Sequence, residues 1–225
     1  ACDCIAMSGG WSPVVHLYSH CGGKLKWDEK MALFKPDSSA KPTSHDGLPF
    51  VTAVGSANGF LLMQEVLKDA REGCLEVVEA SGGKVKNESF KLIEQEYENS
   101  IEAIWIAPQD ADIKKRSKIW LDFQNDVKIN DVELAAREGF ESVEHTKRYT
   151  TLGMATDQGK LSNINGLAIL SSSLGKEIPK VGTTTFRPPY TPISLGSIGG
   201  SARDDLFQPV RKTPMHDWHE NNGAY

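Results

Sequence analysis

The stretch from Ser142 to Gly166 contains the residues best suited to bind a ligand. Its side chains include two adjacent cations, several hydroxyls and an amide, namely Lys147, Arg148, Thr150, Thr151 and Gln158. Arginine offers a planar fork of donors and lysine a point charge, and both suit a phosphate or a carboxylate. The alternative is structural, because cations near a helix C-terminus also stabilise its dipole by up to about 1 kcal/mol. The residues alone leave both interpretations open.

A second candidate is the glycine-rich turn VGSANG, Val54 to Gly59. Residues 49–54 are predicted to form a buried strand, and residues 60–71 a helix that stops at Gly73. A strand, a glycine-rich turn and a helix N-terminus together present free N–H groups to a phosphate or a cofactor edge. The same turn closes many α/β units that bind nothing, and the chain has no GxGxxG motif.

The elements that must position the first stretch are one strand and three helices. They are predicted over residues 119–123, 130–137, 142–149 and 162–174. Glycines at 139 and 175 follow the first and third helices, where such residues commonly end a helix. Further strands are predicted over residues 2–7 and 101–106.

Charge and hydropathy narrow the range of partners. The 225 residues carry a formal net charge of −5, which does not favour a general nucleic-acid or acidic-membrane surface. No apolar run approaches the roughly 20 residues of a membrane span. The N-terminus lacks the basic region of a signal peptide, so we expect a cytoplasmic protein without a membrane partner.

The cysteines and the terminal histidines offer weak metal signals. All four cysteines lie in the first third of the chain, and Cys2 and Cys4 lack a second pair at zinc-site spacing. Reduced thiols of a cytosolic protein are the favoured interpretation. His216 and His219 could share a helical face near a metal, but packing is favoured there too, so we expect no metal site.

Several uncommon strings resemble one family in the same order along the chain. They are MSGGWSPVVHL, KLKWDE, VGSANG, KRYTTLGMATDQGKLSNINGLAIL, RPPYTP and PMHDWH. Together they resemble the α subunit of heterotetrameric sarcosine oxidase over nearly the whole chain. Both ends look cut, so an internal piece of a longer polypeptide is expected, one that is not active alone.

The resemblance implies a fold of class α/β plus α. It implies the C-terminal part of a flavoprotein-like fold with two dinucleotide-binding domains, then a small helical domain, then an aminomethyltransferase-like domain. The expected parts are the end of an NAD(FAD)-binding Rossmann-like domain (1–80), a connector (81–118), the helical domain (119–177) and the start of the folate-binding domain (178–225).

The resemblance also implies cofactors and partners. The family oxidises sarcosine on FAD in the β subunit, passes electrons to FMN at the α–β contact and then to oxygen, and transfers the one-carbon product to tetrahydrofolate or releases formaldehyde. Tetrahydrofolate would bind a domain beyond this chain, and the partners would be the β, γ and δ subunits. NAD is expected at the glycine-rich turn, where Ser56 replaces the aspartate of related flavoproteins. Its expected contacts are Gly55, Ser56, Ala57, Asn58, Leu61 and Leu62.

The small helical domain resembles [2Fe–2S]-binding domains of amino-acid and opine dehydrogenase subunits, but without their cysteines. Residues 123–125 and 155–159 stand where those domains carry cysteines, and no cysteine follows Cys74. Thiolate ligation of a cluster is therefore excluded in this domain. We expect it to serve the subunit contact around FMN through the cationic stretch, Lys147, Arg148, Thr150, Thr151 and Gln158.

Two other functions stay open. The chain could be a non-catalytic scaffold that docks the β subunit, in which case no saturable NAD binding is expected. It could also belong to a related amino-acid or opine dehydrogenase that does not use oxygen. The residues show no nucleophile–base pair and no paired carboxylates at catalytic spacing, so we expect no catalytic residue in this piece.

Overall fold

The computed structural model of the chain describes residues 3–4, 9–85, 100–187, 190–208 and 210–224. Chain contacts divide it into two compact units, Ala1–Tyr190 and Thr191–Tyr225. Both candidate stretches fall in the first unit. Among the described residues, no helix is both long and apolar enough to cross a bilayer.

The first unit is built from short hairpins and helices. Its helices are α1 (His16–His20), α2 (Met63–Ala80), α3 (Ile113–Arg116), α4 (Ile129–Arg137), α5 (Val143–Thr150), α6 (Asn163–Leu174) and α7 (Ile178–Val181). Its strands are β1 (Leu25–Asp28), β2 (Leu33–Pro36), β3 (Trp120–Asp122) and β4 (Val127–Lys128). A 3-10 turn covers Gly55–Asn58.

The strands form two antiparallel hairpins, β1–β2 and β3–β4. An aspartate closes the first turn, because the Asp28 carboxylate accepts the Lys30 and Met31 N–H groups at 3.1 and 3.2 Å. The Lys35 ammonium also donates to Asp28 at 2.6 Å, which ties the two strands together. The hydrogen bond from Lys35 is the main cause that lowers the pKa of Asp28.

The main apolar core lies where α4, α5, α6, α7 and the β3–β4 hairpin meet. Its buried members are Leu121, Val127, Ile129, Val132, Val143, Leu152, Leu167, Ile169, Leu170 and Val181. Gly166 lets α6 approach this core closely, because a Cβ there would lie 2.3 Å from Leu152 Cδ2. This core fixes the loops on either side of α5 and α6.

The predictions for this helical part are confirmed to within a residue or two. Helices α4, α5 and α6 and strand β3 occupy the predicted positions. Gly175 ends α6 in the left-handed conformation at φ 61°, as a C-terminal glycine should. At the start of α4, the Asp131 carboxylate accepts the Lys128 N–H at 2.8 Å.

Two predictions near α2 are wrong, and a third, in the connector, is wrong as well. The strand over residues 49–54 does not form, because only Pro49 finds a partner, in a single bridge to Thr43. The helix does not stop at Gly73 but continues to Ala80. Gly73 is buried there instead, because a Cβ would lie 2.4 Å from Val54 Cγ1.

The strand over residues 101–106 is also absent, and Trp105 and Ile106 pack singly against the core. The strand predicted over residues 2–7 lies mostly outside the described residues. The described strands pair only antiparallel, so the dinucleotide-binding part of the fold class stays a prediction. The domain boundaries stay predictions as well.

The second unit has little buried surface among its described residues. Its elements are α8 (Leu195–Gly199), a 3-10 turn (Asp204–Leu206) and α9 (His216–Asn221). Large apolar side chains are exposed, including Leu206 at 81% and Val210 at 71%. Burial of apolar area therefore contributes little to the stability of this unit by itself.

Candidate functional site

The structure brings together two loops, residues 123–126 and 151–159, at one end of the helical part. Asn125 Nδ2 donates to the Thr151 carbonyl at 2.9 Å. Gln124 Oε1 accepts the Asp157 N–H at 3.2 Å and lies 3.4 Å from Thr156 Oγ1, which donates to it. These loops hold the positions at which the sequence resemblance placed the cysteines of iron–sulfur domains. Amide side chains join the loops here.

Asp122 is the central acceptor of this junction. Its carboxylate is 2% exposed and accepts three backbone N–H groups, from Gln124 at 2.9 Å, Asn125 at 3.0 Å and Gly153 at 2.8 Å. Two of these bonds close the β3–β4 turn and the third holds the second loop. A buried carboxylate with several N–H donors is well satisfied, so Asp122 fixes the separation of the two loops.

Lys147 is buried, contrary to what a surface clamp requires. It is 8% exposed, and its Nζ donates to the Thr185 carbonyl at 3.5 Å. Glu144, one turn earlier on α5, accepts the Thr185 N–H at 2.6 Å. Glu144 and Lys147 thus hold the N–H and the carbonyl of one residue, Thr185. Thr185 belongs to the segment after α7, residues 182–187, which we call the strap.

Burial lowers the pKa of Lys147, and the nearby Arg187 and Arg148 lower it further, while Glu144 opposes them. The pKa in the folded state is then below that of the unfolded chain. Between those two values the unfolded chain binds more protons, so stability rises with pH across that window. At neutral pH the buried ammonium lowers the stability of the fold.

We therefore expect Lys147→Met to be at least as stable as the parent chain at pH 7, with a gain of about 1 kcal/mol, because an apolar side chain avoids the desolvation of a buried charge. The gain should shrink as the pH rises toward the ordinary lysine value of 10.5. Urea unfolding followed by circular dichroism at several pH values measures this, with the exposed Lys118→Met as control. A variant clearly less stable at pH 7 would show that the bond to Thr185 outweighs the desolvation of the ammonium.

The other cationic-stretch residues differ in how open they are. Arg148 has a half-exposed guanidinium 3.7 Å from Glu144 Oε2. The hydroxyls of Thr150 and Thr151 donate to the carbonyls of Thr146 and Thr150, at 2.8 and 2.6 Å. Of these three side chains, Arg148 has the most freedom to engage a ligand.

Gln158 lies in the second loop with a left-handed backbone, at φ 54°. Its Nε2 donates to the Ala155 carbonyl at 3.4 Å, and its own carbonyl accepts from Asn163 Nδ2 at 3.2 Å. Gln158 therefore helps to shape the loop before α6.

The glycine-rich turn is closed from within by a carboxylate of α2. Asp69 accepts the Gly55 N–H at 2.6 Å, and Asn58 Nδ2 lies 3.3 Å from both of its oxygens. Gly55 has φ 62°, and a Cβ there would lie 3.1 Å from Val66 Cγ1. The N–H that could have met a phosphate already has an anionic acceptor, so this turn favours a neutral ligand edge over a pyrophosphate.

The remaining residues of this turn face outward to different degrees. Ser56 is exposed, Ala57 is partly buried, and Leu61 is 38% exposed with Leu62 partly buried beside it. A cavity of about 150 Å³ adjoins the turn, with Asp69, Glu72 and Glu76 among its lining residues. The acidic lining again disfavours a phosphate group.

A larger cavity, of about 400 Å³, lies between the N-terminal loop, the start of α6 and the strap. Its lining comes from three parts of the chain and from Phe34: the N-terminal loop between Gly9 and Val15, the start of α6 between Gly159 and Leu167, and Thr183, Thr184, Phe186 and Tyr190 after α7. Sequence reasoning did not find it, because its walls lie about 150 residues apart along the chain. The glycine pair at 9–10 and the Asn-rich helix start were visible separately, but nothing in the sequence joins them.

The described residues of α9 include a grouping of metal-ligand type. Ligand atoms of His216, Asp217 and Glu220 lie within 4.8 Å of one another. Both carboxylates are exposed, and His219, which the sequence had paired with His216, is not part of the group. The Lys212 ammonium lies 3.8 Å from Asp217, so ordinary surface ion pairing accounts for these groups.

Comparison with known proteins decides the family. The sarcosine oxidase A3 domain profile matches residues 116–202. Sarcosine oxidase subunit alpha of Rhizobium meliloti (strain 1021) is 40% identical over 227 residues, which cover 100% of this chain. The subunits alpha of Corynebacterium sp. strains P-1 and U-96 are each 35% identical over 99% of it. The chain belongs to the sarcosine oxidase α-subunit family. The resemblance read from the sequence is confirmed.

The chain spans 22% of the length of these sarcosine oxidase α subunits. A solved structure, L-proline dehydrogenase from P. horikoshii, superposes with a TM-score of 0.61 at 19% identity. The match covers 82% of this chain and 37% of that one, and at this identity it shows a shared fold. The predicted fold class is supported at this coarser level, as a fold shared with that structure.

The residues that match the A3 domain, 116–202, contain both loops joined by Asp122, the cationic stretch and the strap. The two stretches that resemble the cysteine-bearing parts of iron–sulfur domains, residues 123–125 and 155–159, contain no cysteine. The glycine-rich turn and α2 lie before the A3 match.

Proposed function

We propose that the chain acts, as part of a sarcosine oxidase α subunit, in the oxidative demethylation of sarcosine to glycine. Hydrogen peroxide, and formaldehyde or 5,10-methylenetetrahydrofolate, would be the other products. The identity of 35 to 40% with sarcosine oxidase subunits alpha along the whole chain carries this proposal. The proposed role of this piece is to contact cofactors and partners.

FMN at the contact with the β subunit is the cofactor that the A3 domain fits best. Arg148 offers an exposed guanidinium fork, which suits a phosphate group. Lys147 and Glu144 bind Thr185 of the strap through their side chains. Their proposed role is therefore to orient α5, and not to contact the cofactor. When bound, FMN would accept electrons that leave the substrate at FAD in the β subunit, and this chain would bind and orient it.

NAD at the glycine-rich turn is a narrower proposal than the sequence first indicated. The Asp69 carboxylate already accepts a hydrogen bond from the Gly55 N–H, and acidic side chains line the neighbouring cavity. The turn therefore does not suit a pyrophosphate. The exposed Ser56 hydroxyl and the apolar side chains of Leu61 and Leu62 suit a ribose or a ring edge. Gly55, Ala57 and Asn58 would then shape the turn rather than bind phosphate.

Exposed apolar side chains of the A3 domain support a subunit contact. Phe123 and Leu161 are each 73% exposed and Met154 is 51% exposed, and Phe123 and Met154 lie in the two joined loops. Large exposed apolar side chains are common at protein–protein contacts. We propose the β subunit as the partner here, with the γ and δ subunits, and the tetrahydrofolate-binding domain, elsewhere in the complex.

Aerobic turnover tests the proposed reaction. The full-length α subunit would be co-expressed with its candidate β, γ and δ partners and given sarcosine. Glycine and hydrogen peroxide should appear in equal amounts. Glycine formed with an artificial acceptor but without peroxide would instead assign the complex to the related dehydrogenases. No glycine under either condition would leave the scaffold function.

A titration of the full-length α subunit with NAD separates a cofactor-binding subunit from a scaffold. Saturable binding that Leu61→Asp weakens supports the proposed contact, because a charge at this partly exposed position would face the ring edge. The exposed Leu17→Asp, outside the turn, is the control. Absence of saturable binding would contradict the NAD proposal and leave the oxidase reaction to be judged by turnover.

A further inference from the structure

Tyr190, three residues after the strap, lies in a cluster of ionisable side chains. His16 of α1 stacks on its ring, with the centroids 4.0 Å apart and the planes at 23° to one another. The Lys160 ammonium lies 4.2 Å from the centroid of the same ring, and its Nζ donates to the Tyr190 carbonyl at 3.1 Å. These three residues, together with His20 and Phe186, form a group that we call the latch.

The latch joins the end of the strap to α1 through side chains. His20 Nε2 donates to the Phe186 carbonyl, and the Phe186 ring packs edge-on against Tyr190 at 4.7 Å. His16 and His20 lie one helical turn apart, with their rings 5.9 Å from one another. Phe186 and Tyr190 also line the cavity of about 400 Å³. Release of the latch would therefore open one wall of that cavity.

The surroundings of His16 suit a neutral imidazole and not a charged one. The side chain is half-buried, and its Nδ1 is buried without a hydrogen-bond partner among the described residues. When the single proton of the neutral ring is on Nε2, Nδ1 is a bare acceptor. A second proton would create a charged N–H donor at Nδ1 with no acceptor, and a buried donor without an acceptor costs stability, the more so when it is charged.

The charged groups that act on His16 from the neighbouring elements are also cationic. Lys160 comes from the loop before α6, and His20 from α1 itself gains a charge in acid. An acidic group, Asp157, acts on this cluster through Tyr190, whose pKa is raised by burial and then by that carboxylate. Burial, followed by His20 and Lys160, lowers the pKa of His16 below its ordinary value of 6.5.

We propose that the latch is an acid-sensitive switch, in which a proton on His16 breaks its stack on Tyr190 and frees the end of the strap from α1. In the released state His16 is solvated and titrates near 6.5, above its pKa in the closed latch. The released state therefore binds the proton more readily, so the closed latch is favoured above pH 6.5 and loses stability as the pH falls toward the lower pKa. The switch depends on no ligand and goes beyond the proposed reaction.

Amide hydrogen exchange of the full-length α subunit with its β partner tests the switch, over about pH 5 to pH 8. Exchange rates are first corrected for the intrinsic effect of pH on amide exchange. Peptides that cover residues 12–22 and 182–192 should open more often as the pH falls below 6.5. The increase should reach at most about 10-fold per pH unit, because one group titrates, and should then level off. Equal opening in peptides of α6 would indicate general acid unfolding and overturn the proposal.

Substitutions identify the group that titrates. His16→Phe keeps an aromatic ring on Tyr190 but cannot take a proton, so the latch should stay closed and the response to acid should disappear. His20→Gln keeps a donor for the Phe186 carbonyl and should retain the response. The exposed His45→Phe is the matched control and should retain it as well. A response that persists in His16→Phe, or that only His20→Gln abolishes, would overturn the assignment to His16.

Discussion

Replacing Asp122 with alanine is expected to lower the free energy of unfolding of the A3 domain by about 3 to 5 kcal/mol, since it leaves three backbone N–H groups without their charged acceptor. The Gly153 N–H is buried, and Gln124 and Asn125 lose the acceptor that closes the β3–β4 turn. A loss of this size is a large part of the 5 to 15 kcal/mol that stabilises a typical domain. The two loops should therefore separate first.

Amide hydrogen exchange measures this loss locally, in peptides that cover residues 119–128 and 150–160. Asp122→Asn should have a smaller effect, because its oxygen can still accept the two turn N–H groups while its amide faces the Gly153 N–H. The exposed Asp110→Ala, with no assigned bond, is the control for loss of a charge. Equal protection in Asp122→Ala and Asp110→Ala would show that other contacts hold the loops together.

Gly159→Ala is expected to cost about 3 to 4 kcal/mol, the sum of a left-handed backbone penalty and of hydrogen bonds lost at a buried side chain. Gly159 has φ 72°, and a Cβ there would lie 2.1 Å from Asn163 Oδ1. Asn163 would have to leave its bonds to Thr184 and Gln158. The wall of the 400 Å³ cavity would change with it.

A matched glycine isolates the two causes. Gly175 has nearly the same backbone, at φ 61°, but a Cβ there meets nothing within 4 Å. Gly175→Ala should therefore cost only the conformational penalty of about 1 to 2 kcal/mol. Urea unfolding of the parent and both variants gives the difference, and Asn163→Ala in the Gly159→Ala background should recover part of it. Similar losses in both single variants would mean that Asn163 yields without cost.

The helical part was predictable because its signals are local. The apolar spacing of α4 and α6 and the glycines at 139 and 175 depend on residues within a few positions of one another. The strand over residues 49–54 failed because a strand needs a partner, which local β-branched residues do not reveal. Gly73 was read as a helix stop, whereas its role is close packing against Val54.

The binding site was predictable only in part, because sequence spacing does not tell which face of a helix is buried. Lys147 and Arg148 are neighbours with similar chemistry, yet α5 turns Lys147 toward the strap and Arg148 toward solvent. The joined loops were foreseeable from the family resemblance, but their closure by Asp122 was not. Asp69 of α2 lies 14 positions after Gly55, too far for a local turn signal.

The most direct test of the account is the visible spectrum of the full-length α subunit co-purified with its β partner, recorded without oxygen before and after sarcosine is added. The account predicts a flavin spectrum that bleaches on addition of sarcosine, because the complex removes electrons from the substrate. Unbound flavin is removed first, and a chemical reductant must bleach the bound flavin as a control. A flavin spectrum that the reductant bleaches but sarcosine leaves unchanged would contradict the proposed reaction.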